Sequence, residues 1–237
     1  MFVESPTDAQ TYSGLYRVLK SRLNSECSLE FIATGTRSQT GQETNTGCDA
    51  VKRLVGDLAR SGNTSVFGLL DWDQKHQPSD RIFVLAHDRR DGLENVLLDP
   101  LLVAALICHR FSDLKEAIGI AADVSYLEFF ALSPSDLQDV VTKVCEAVFG
   151  TPAVDTFESV YLGGLRLQID GRYKTMDDHK LEAEVLRAFP AFNAIARQGK
   201  PGLLMEYIVN TILLVQKDFT PTEVVDVLKS MLDEPAH

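Results

Sequence analysis

The chain has 237 residues, 45% apolar and 24% charged, which fits a folded protein of one large domain or a domain with a sizeable appendage. Its 23 Lys and Arg stand against 34 Asp and Glu, a formal net charge of -11. That balance excludes attraction of nucleic acid or anionic membrane by the surface as a whole, although bound cations or a local basic rim can offset it. In chain order, Phe2 to Glu4 reads as a very short strand, Ser5 to Thr7 as a turn, and Asp8 as the opening of a helix. Tyr12, Leu15, Tyr16, Leu19 and Leu23 then recur at helical spacing. Leu29 to Thr34 is an apolar strand, and the polar, Gly- and Thr-rich residues 35–47 a mobile loop. Asp49 to Arg60 is a helix with Val51, Leu54, Val55 and Leu58 on one face. "TSVFGLLD" (64–71) is a buried strand, and Arg81 to Ala86 another. Leu93 to Cys108 is a helix in which Pro100 marks a kink or a new start.

Strands alternating with helices predict a mostly parallel sheet covered on both faces, with ligands outside the carboxyl ends of its strands. Beyond about Arg110 the texture turns helical. "FSDLKEAIGIA", "SYLEFFAL", the segment capped by Ser133 or Ser135, "DDHKLEAEVLRAF" and "GLLMEYIVNTILLVQ" all read as helices. The final helix has Thr220 as N-cap and Pro221 at its first position, and "SVYLGGLRLQID" reads as a strand or hairpin. The expected division is residues 1–110 as an α/β domain and 111–237 as a mainly helical subdomain packed on the sheet.

The four cysteines and five histidines show no metal-ligand spacing, which argues against zinc and for reduced cytoplasmic thiols. "MFVESPTDAQ" lacks the pattern of a signal peptide, and the longest apolar tract, Leu101 to Ile107, is too short to span a bilayer. No Walker motif is present. No membrane partner is expected.

"VFGLLDWDQ" ends an apolar run in Asp71 and Asp73, which period-two geometry sends to one side while Trp72 points the other way. Alone, Asp-x-Asp reads equally as a solvated acidic turn. Glu4-x-x-x-Asp8 at the end of another strand points to a site for Mg²⁺ or Mn²⁺, which favour hard carboxylate oxygens. Lys75, His76, Arg89 and Arg90 stand near the same edge and could contact phosphates or serve only as solvated loop charges.

"VESPTD" with "GLLDWD" resembles the Toprim domain, and the Glu-x-x-x-Asp spacing with the later "LEN" resembles its branch in the OLD-family nucleases. The likeness covers roughly residues 1–110 and is nearest to stand-alone Toprim proteins with a helical C-terminal half. It implies that Glu4, Asp71 and Asp73 bind divalent metal for phosphodiester chemistry, with Asp8 and Glu94 as further ligands. It also implies a basic residue from the later region, for which Arg172, Lys174 and Lys180 are the candidates. Ser5 stands where the family has glycine. The implied function is a metal-dependent nuclease on DNA or RNA, an anti-phage effector controlled by an SMC- or ABC-like ATPase or by self-association. The alternative is a catalytically weak scaffold acting as a regulated interaction module.

Overall fold

A computed structural model describes residues 1–37, 43–44, 46–196 and 202–233. The chain opens with β1 (Phe2–Val3), α1 (Pro6–Leu23) and β2 (Ile32–Ala33). A small antiparallel pair follows, β3 (Thr36–Arg37) with β4 (Glu43–Thr44). Next come α2 (Cys48–Arg60), β5 (Gly68–Leu70), β6 (Ile82–Val84), α3 (Leu93–Leu97) and α4 (Pro100–Arg110). Strands β2, β1, β5 and β6 lie in that order, and every pairing between them is parallel. The remainder holds α5 (Tyr126–Phe129), α6 (Pro134–Phe149), the antiparallel hairpin of β7 (Thr156–Val160) and β8 (Arg166–Asp170), and α7 (Arg172–Thr175). It ends with α8 (Asp178–Ala188), α9 (Leu203–Tyr207) and α10 (Thr222–Asp233). The architecture is α/β, as the alternation of strands and helices implies.

The strands are shorter than their apolar runs. The run 29–34 contributes only Ile32 and Ala33, because β1 offers just Phe2 and Val3 as partners before the chain turns into α1. That turn is made by Ser5, whose backbone is extended (φ -132°), so no glycine is required there. Ser5 and Asp8 form a capping box: the Asp8 amide donates to Ser5 Oγ at 3.1 Å, and the Ser5 amide to Asp8 Oδ2 at 2.9 Å. The helix therefore begins at Pro6 rather than Asp8. Pro100 marks a new start, since Asp99 accepts from the Leu101 amide and caps α4.

Other boundaries differ as well. Residues 112–118 form two short 3₁₀ turns, stopped by Gly119 in the left-handed region (φ 77°), rather than a helix. The helix expected through 202–216 passes into a π-helical turn at Ile208–Leu213. Pro221 pairs with Tyr161 in an isolated bridge, so the last helix starts one residue later than expected. Of the loop 35–47, residues 38–42 and 45 lie outside the described residues.

Helix α4 is apolar on all sides, and Leu101 to Cys108 are all buried. Around it runs one cluster that includes Val3 and Leu15 from the first half and Val140, Phe192, Ile212 and Leu228 from the second. Val51, Val55, Leu70 and Ile82 form a smaller cluster beneath α2.

A polar network centred on Arg90 sits inside this core. Arg90 is 0% exposed. It donates to the Asn95 carbonyl at 2.8 Å, to Asp99 Oδ2 at 2.7 Å and to Ser159 Oγ at 2.7 Å. Its Nε lies 3.5 Å from Glu223 Oε1. Asp99 also accepts from the Tyr161 hydroxyl at 2.9 Å. Burial works against the guanidinium charge, and Asp99 and Glu223 more than restore it. Arg90 is neither a phosphate contact at the sheet edge nor a solvated loop charge, because it is fully buried and ties α4, β7 and α10 together.

Truncating one partner of a buried ion pair strands the other. Arg90→Ala is therefore expected to lower unfolding free energy by about 3–5 kcal/mol, and Tyr161→Phe by about 1 kcal/mol, in urea denaturation. Equal small losses would show that the buried charge pair is not a principal tie.

Candidate metal centre

Glu4 directly follows β1 and Asp71 directly follows β5, so parallel pairing brings both to the carboxyl edge of the sheet. Asp73 arrives differently from expectation. Strand geometry stops at Leu70, and Asp73 (φ 47°) and Gln74 (φ 52°) occupy the left-handed region in succession. Asp tolerates this backbone better than most side chains, though at a cost in strain. The turn is held by the Asp73 amide donating to the Asp91 carbonyl at 2.8 Å, and by Gln74 donating to Asp91 Oδ1 at 2.7 Å and to the Thr175 carbonyl at 2.9 Å. Trp72 is half-buried, its ring edge-on to His87 at 6.2 Å.

The strand-end acids open into a cleft of about 940 Å³. Glu4, Asp8, Asp71, Asp73 and Glu94 all line it. Asp91, Asp177 and Asp178 join them, three acids that no strand-end pattern in the sequence marks. "DDHK" was read for its lysine, and its acids belong to the start of a helix distant in sequence. Asn95 fixes that segment by donating to the carbonyls of Tyr173 at 3.1 Å and Met176 at 2.8 Å. Asp178 then reaches Gly92, where an added Cβ would lie 2.9 Å from Asp178 Oδ2 and 3.2 Å from Asp71 Oδ2. Only a glycine leaves that space open. Glu94, Asp178 and His179 each bring a ligand atom within 4.8 Å of the others.

Among the described residues lining the cleft, eight carboxylates face two lysines, Lys75 and Lys180. The acids feel the crowding. Burial, then Asp73 and Asp8, push the Glu4 carboxyl up to about 7. Burial, followed by Asp8 and Glu94, holds Asp71 well above the usual carboxylate range. Glu94 is raised in the same direction by burial and then by Asp178. The Tyr12 hydroxyl donates to Asp71 Oδ1 at 3.3 Å, and His76, buried, bonds through Nδ1 to the Asp71 carbonyl at 2.9 Å. His76 is thus part of the scaffold beneath Asp71 rather than an exposed phosphate contact.

Partial relief comes from the backbone. Residues at the N-terminal ends of α1, α2, α3 and α8 line the cleft: Ser5, Gly47, Glu94 and Asp177. Helix N-termini carry partial positive charge, so each favours nearby carboxylates. Side chains add little positive charge. Lys75 is engaged with Asp73 at 2.9 Å.

The basic residues expected around the site mostly lie elsewhere. Arg89 donates to the Glu158 carbonyl at 3.2 Å and lies 3.5 Å from Glu223, in a separate pocket against α10. Arg172 spends its donors on Asp170, Thr151 and the Pro152 carbonyl, and stacks over Phe149 at 4.1 Å. It is a staple between the hairpin and α6, not a free contact for substrate. Lys174 sits on α7 and does not line the cleft, whereas Lys180 does.

Comparison with protein-family models, curated proteins and solved structures finds no match to the chain.

The donor set fits a hard divalent cation. Carboxylate oxygens suit Mg²⁺ or Mn²⁺, and the mutual repulsion that raises their proton affinity is what such a cation would relieve. The linkage sign follows. A carboxyl at about 7 in the folded state and near its ordinary value when unfolded binds more protons folded, so stability falls as pH rises through that window. In EDTA the melting temperature is expected to drop between about pH 4.5 and 7. Millimolar Mg²⁺ or Mn²⁺ should remove the drop, and Glu4→Gln should flatten it. A pH-independent, metal-independent melting temperature would rule out this electrostatic picture.

Proposed function

We propose that the chain is a divalent-metal-dependent phosphodiesterase of the Toprim kind, acting as a nuclease on DNA or RNA. The observation that carries this reading is the meeting, in one cleft, of carboxylates from two parallel strand ends with Glu94 of α3 and Asp178 of α8. A solvated acidic turn would not draw its acids partly out of solvent, nor set Asp71 and Asp178 against one glycine.

Glu4, Asp71 and Asp73 would hold the cation, with Asp8, Glu94 and Asp178 lining the same cleft. Mg²⁺ or Mn²⁺ would stabilise charge on the phosphoryl oxygens and make bound water a nucleophile at neutral pH. Tyr12 and His76 fix the orientation of the Asp71 segment from beneath. Gln74 and Asn95 fasten the segment that carries Asp178. Lys180, exposed at the rim, is the lysine placed to meet a non-bridging phosphate oxygen or to donate to a leaving group.

The purified chain is expected to cleave plasmid, single-stranded DNA or tRNA in Mg²⁺ or Mn²⁺ and not in EDTA. Asp71→Asn and Glu4→Gln keep shape and remove charge, and each should lower the rate by at least about 100-fold. Asp178→Asn should cost about 10–100-fold. Folding of each variant is checked by near-UV circular dichroism. Cleavage by Asp71→Asn at the wild-type rate would overturn the assignment.

A further inference from the structure

We propose that the solvent face of α1 is a track for the phosphodiester backbone of the substrate, running from the metal cleft to a cationic groove at the far end of the helix. This rests on the nuclease reading and adds the class of substrate: a nucleic acid several nucleotides long rather than a small phosphodiester.

Helix α1 begins inside the cleft, where Ser5, Thr7 and Asp8 line the wall. It is 18 residues long, about 27 Å. Its exposed side chains are Gln10, Ser13, Arg17, Lys20, Ser21 and Arg22. No carboxylate is among them, in a chain with 34 acids. At about 100° per residue, Gln10, Ser13, Arg17, Lys20 and Ser21 fall within one sector of about 100°, a single stripe along the helix. Arg22 lies off the stripe and is paired with Asp218 at 2.7 Å.

The stripe ends in an open groove of about 570 Å³. Arg17, Lys20 and Lys217 line it, with Glu26 the one acid among the described residues there. Each cation is held by neutral groups. Arg17 donates to Asn210 Oδ1 at 2.6 Å and Lys217 to Ser21 Oγ at 3.1 Å, while Lys20 lies 5.9 Å from the Tyr16 ring centre. Among the described residues none of the three makes a salt bridge, so their charge is left to an anion from outside. The dipole of α1 accounts for a lysine in its last turn. It does not account for Arg17 a turn earlier, nor for Lys217, which comes from a different element.

A duplex strand advances about 3.4 Å per phosphate, so the helix spans about eight nucleotides. A B-form strand lying along the helix engages cleft and groove together only if it is at least that long.

The test compares wild type with an Arg17→Glu, Lys20→Glu, Lys217→Glu variant in Mn²⁺ on three substrates: a 24-mer oligonucleotide, a 4-mer and bis(p-nitrophenyl) phosphate. Expected for the variant is a rise of about tenfold or more in KM for the 24-mer, with a salt slope smaller by about 2. Hydrolysis of the 4-mer and of the small ester should stay unchanged. The neutral variant Arg17→Gln, Lys20→Gln, Lys217→Gln should show the same pattern more weakly. An unchanged 24-mer KM overturns the track and leaves the nuclease reading intact, as does an equal loss on all three substrates. Should wild type hydrolyse none of them, the nuclease reading fails, and anisotropy of the labelled 24-mer still decides whether the three cations bind it. Competition by poly-glutamate equal to that by unlabelled 24-mer would reassign the face to an acidic protein segment.

Discussion

The structure turns on the Arg90–Asp99 pair. A charge removed from water must be matched by partners that stay in place, or the cost falls on the whole fold. Arg90 follows the loop after β6, and Asp99 caps the central helix α4. Their remaining partners, Ser159, Tyr161 and Glu223, come from the hairpin and from α10. The second half of the chain therefore cannot swing away from the sheet without leaving a guanidinium or a carboxylate unpaired in the core. This constraint makes a composite cleft feasible. Asp178 reaches Gly92 because the hairpin before it is locked to α4, and because Asn95 captures the carbonyls that lead into α8.

The cleft works against stability. Its carboxylates are partly buried and close together, and their raised proton affinities are the direct expression of that. A fold selected only for stability would replace some of them with amides. Instead the backbone compensates: helix N-terminal ends converge on the acids, and the Asp73–Gln74 turn is kept in left-handed backbone by bonds to Asp91 and Thr175. Strain and like-charge crowding in one place, with a rigid sheet beneath, are features that concentrate at functional sites rather than in parts of a fold kept for stability alone.

Much of this was legible in the sequence, and the reasons for the rest are physical. The strand ends announced themselves, because an apolar run that stops in Asp-x-Asp must place carboxylates at an edge. Glu4 and Asp71 needed only the parallel order, which alternation supplies. The geometry of Asp73 was hidden, since nothing in "LLDWD" says that pairing ends at Leu70. Asp178 was also hidden. Its approach depends on tertiary bonds from Asn95 and Gln74, each about 80 to 100 residues away. Arg90 and Arg172 misled for a related reason. An arginine beside acids in a loop looks solvent-facing until buried partners such as Asp99 and Asp170 are known.

Charge distribution joins the fold to its proposed work. A protein of net charge -11 repels a polyanion at long range. Screening confines that repulsion to about 8–10 Å at physiological salt, so what decides binding is the local sign along the path of contact. At the cleft the local sign is negative, and among the described residues lining it positive side-chain charge is limited to Lys75 and Lys180. Along the exposed stripe of α1 the side chains are neutral or positive. On the proposed reading these two facts impose an order. Without metal, a nucleic acid could rest on α1 and its groove but would be refused by the acids. With metal bound, the refusal becomes attraction at the one place where a phosphate must sit for reaction. The acidity of the cleft would then be the device that makes engagement of substrate conditional on the cation that the chemistry requires.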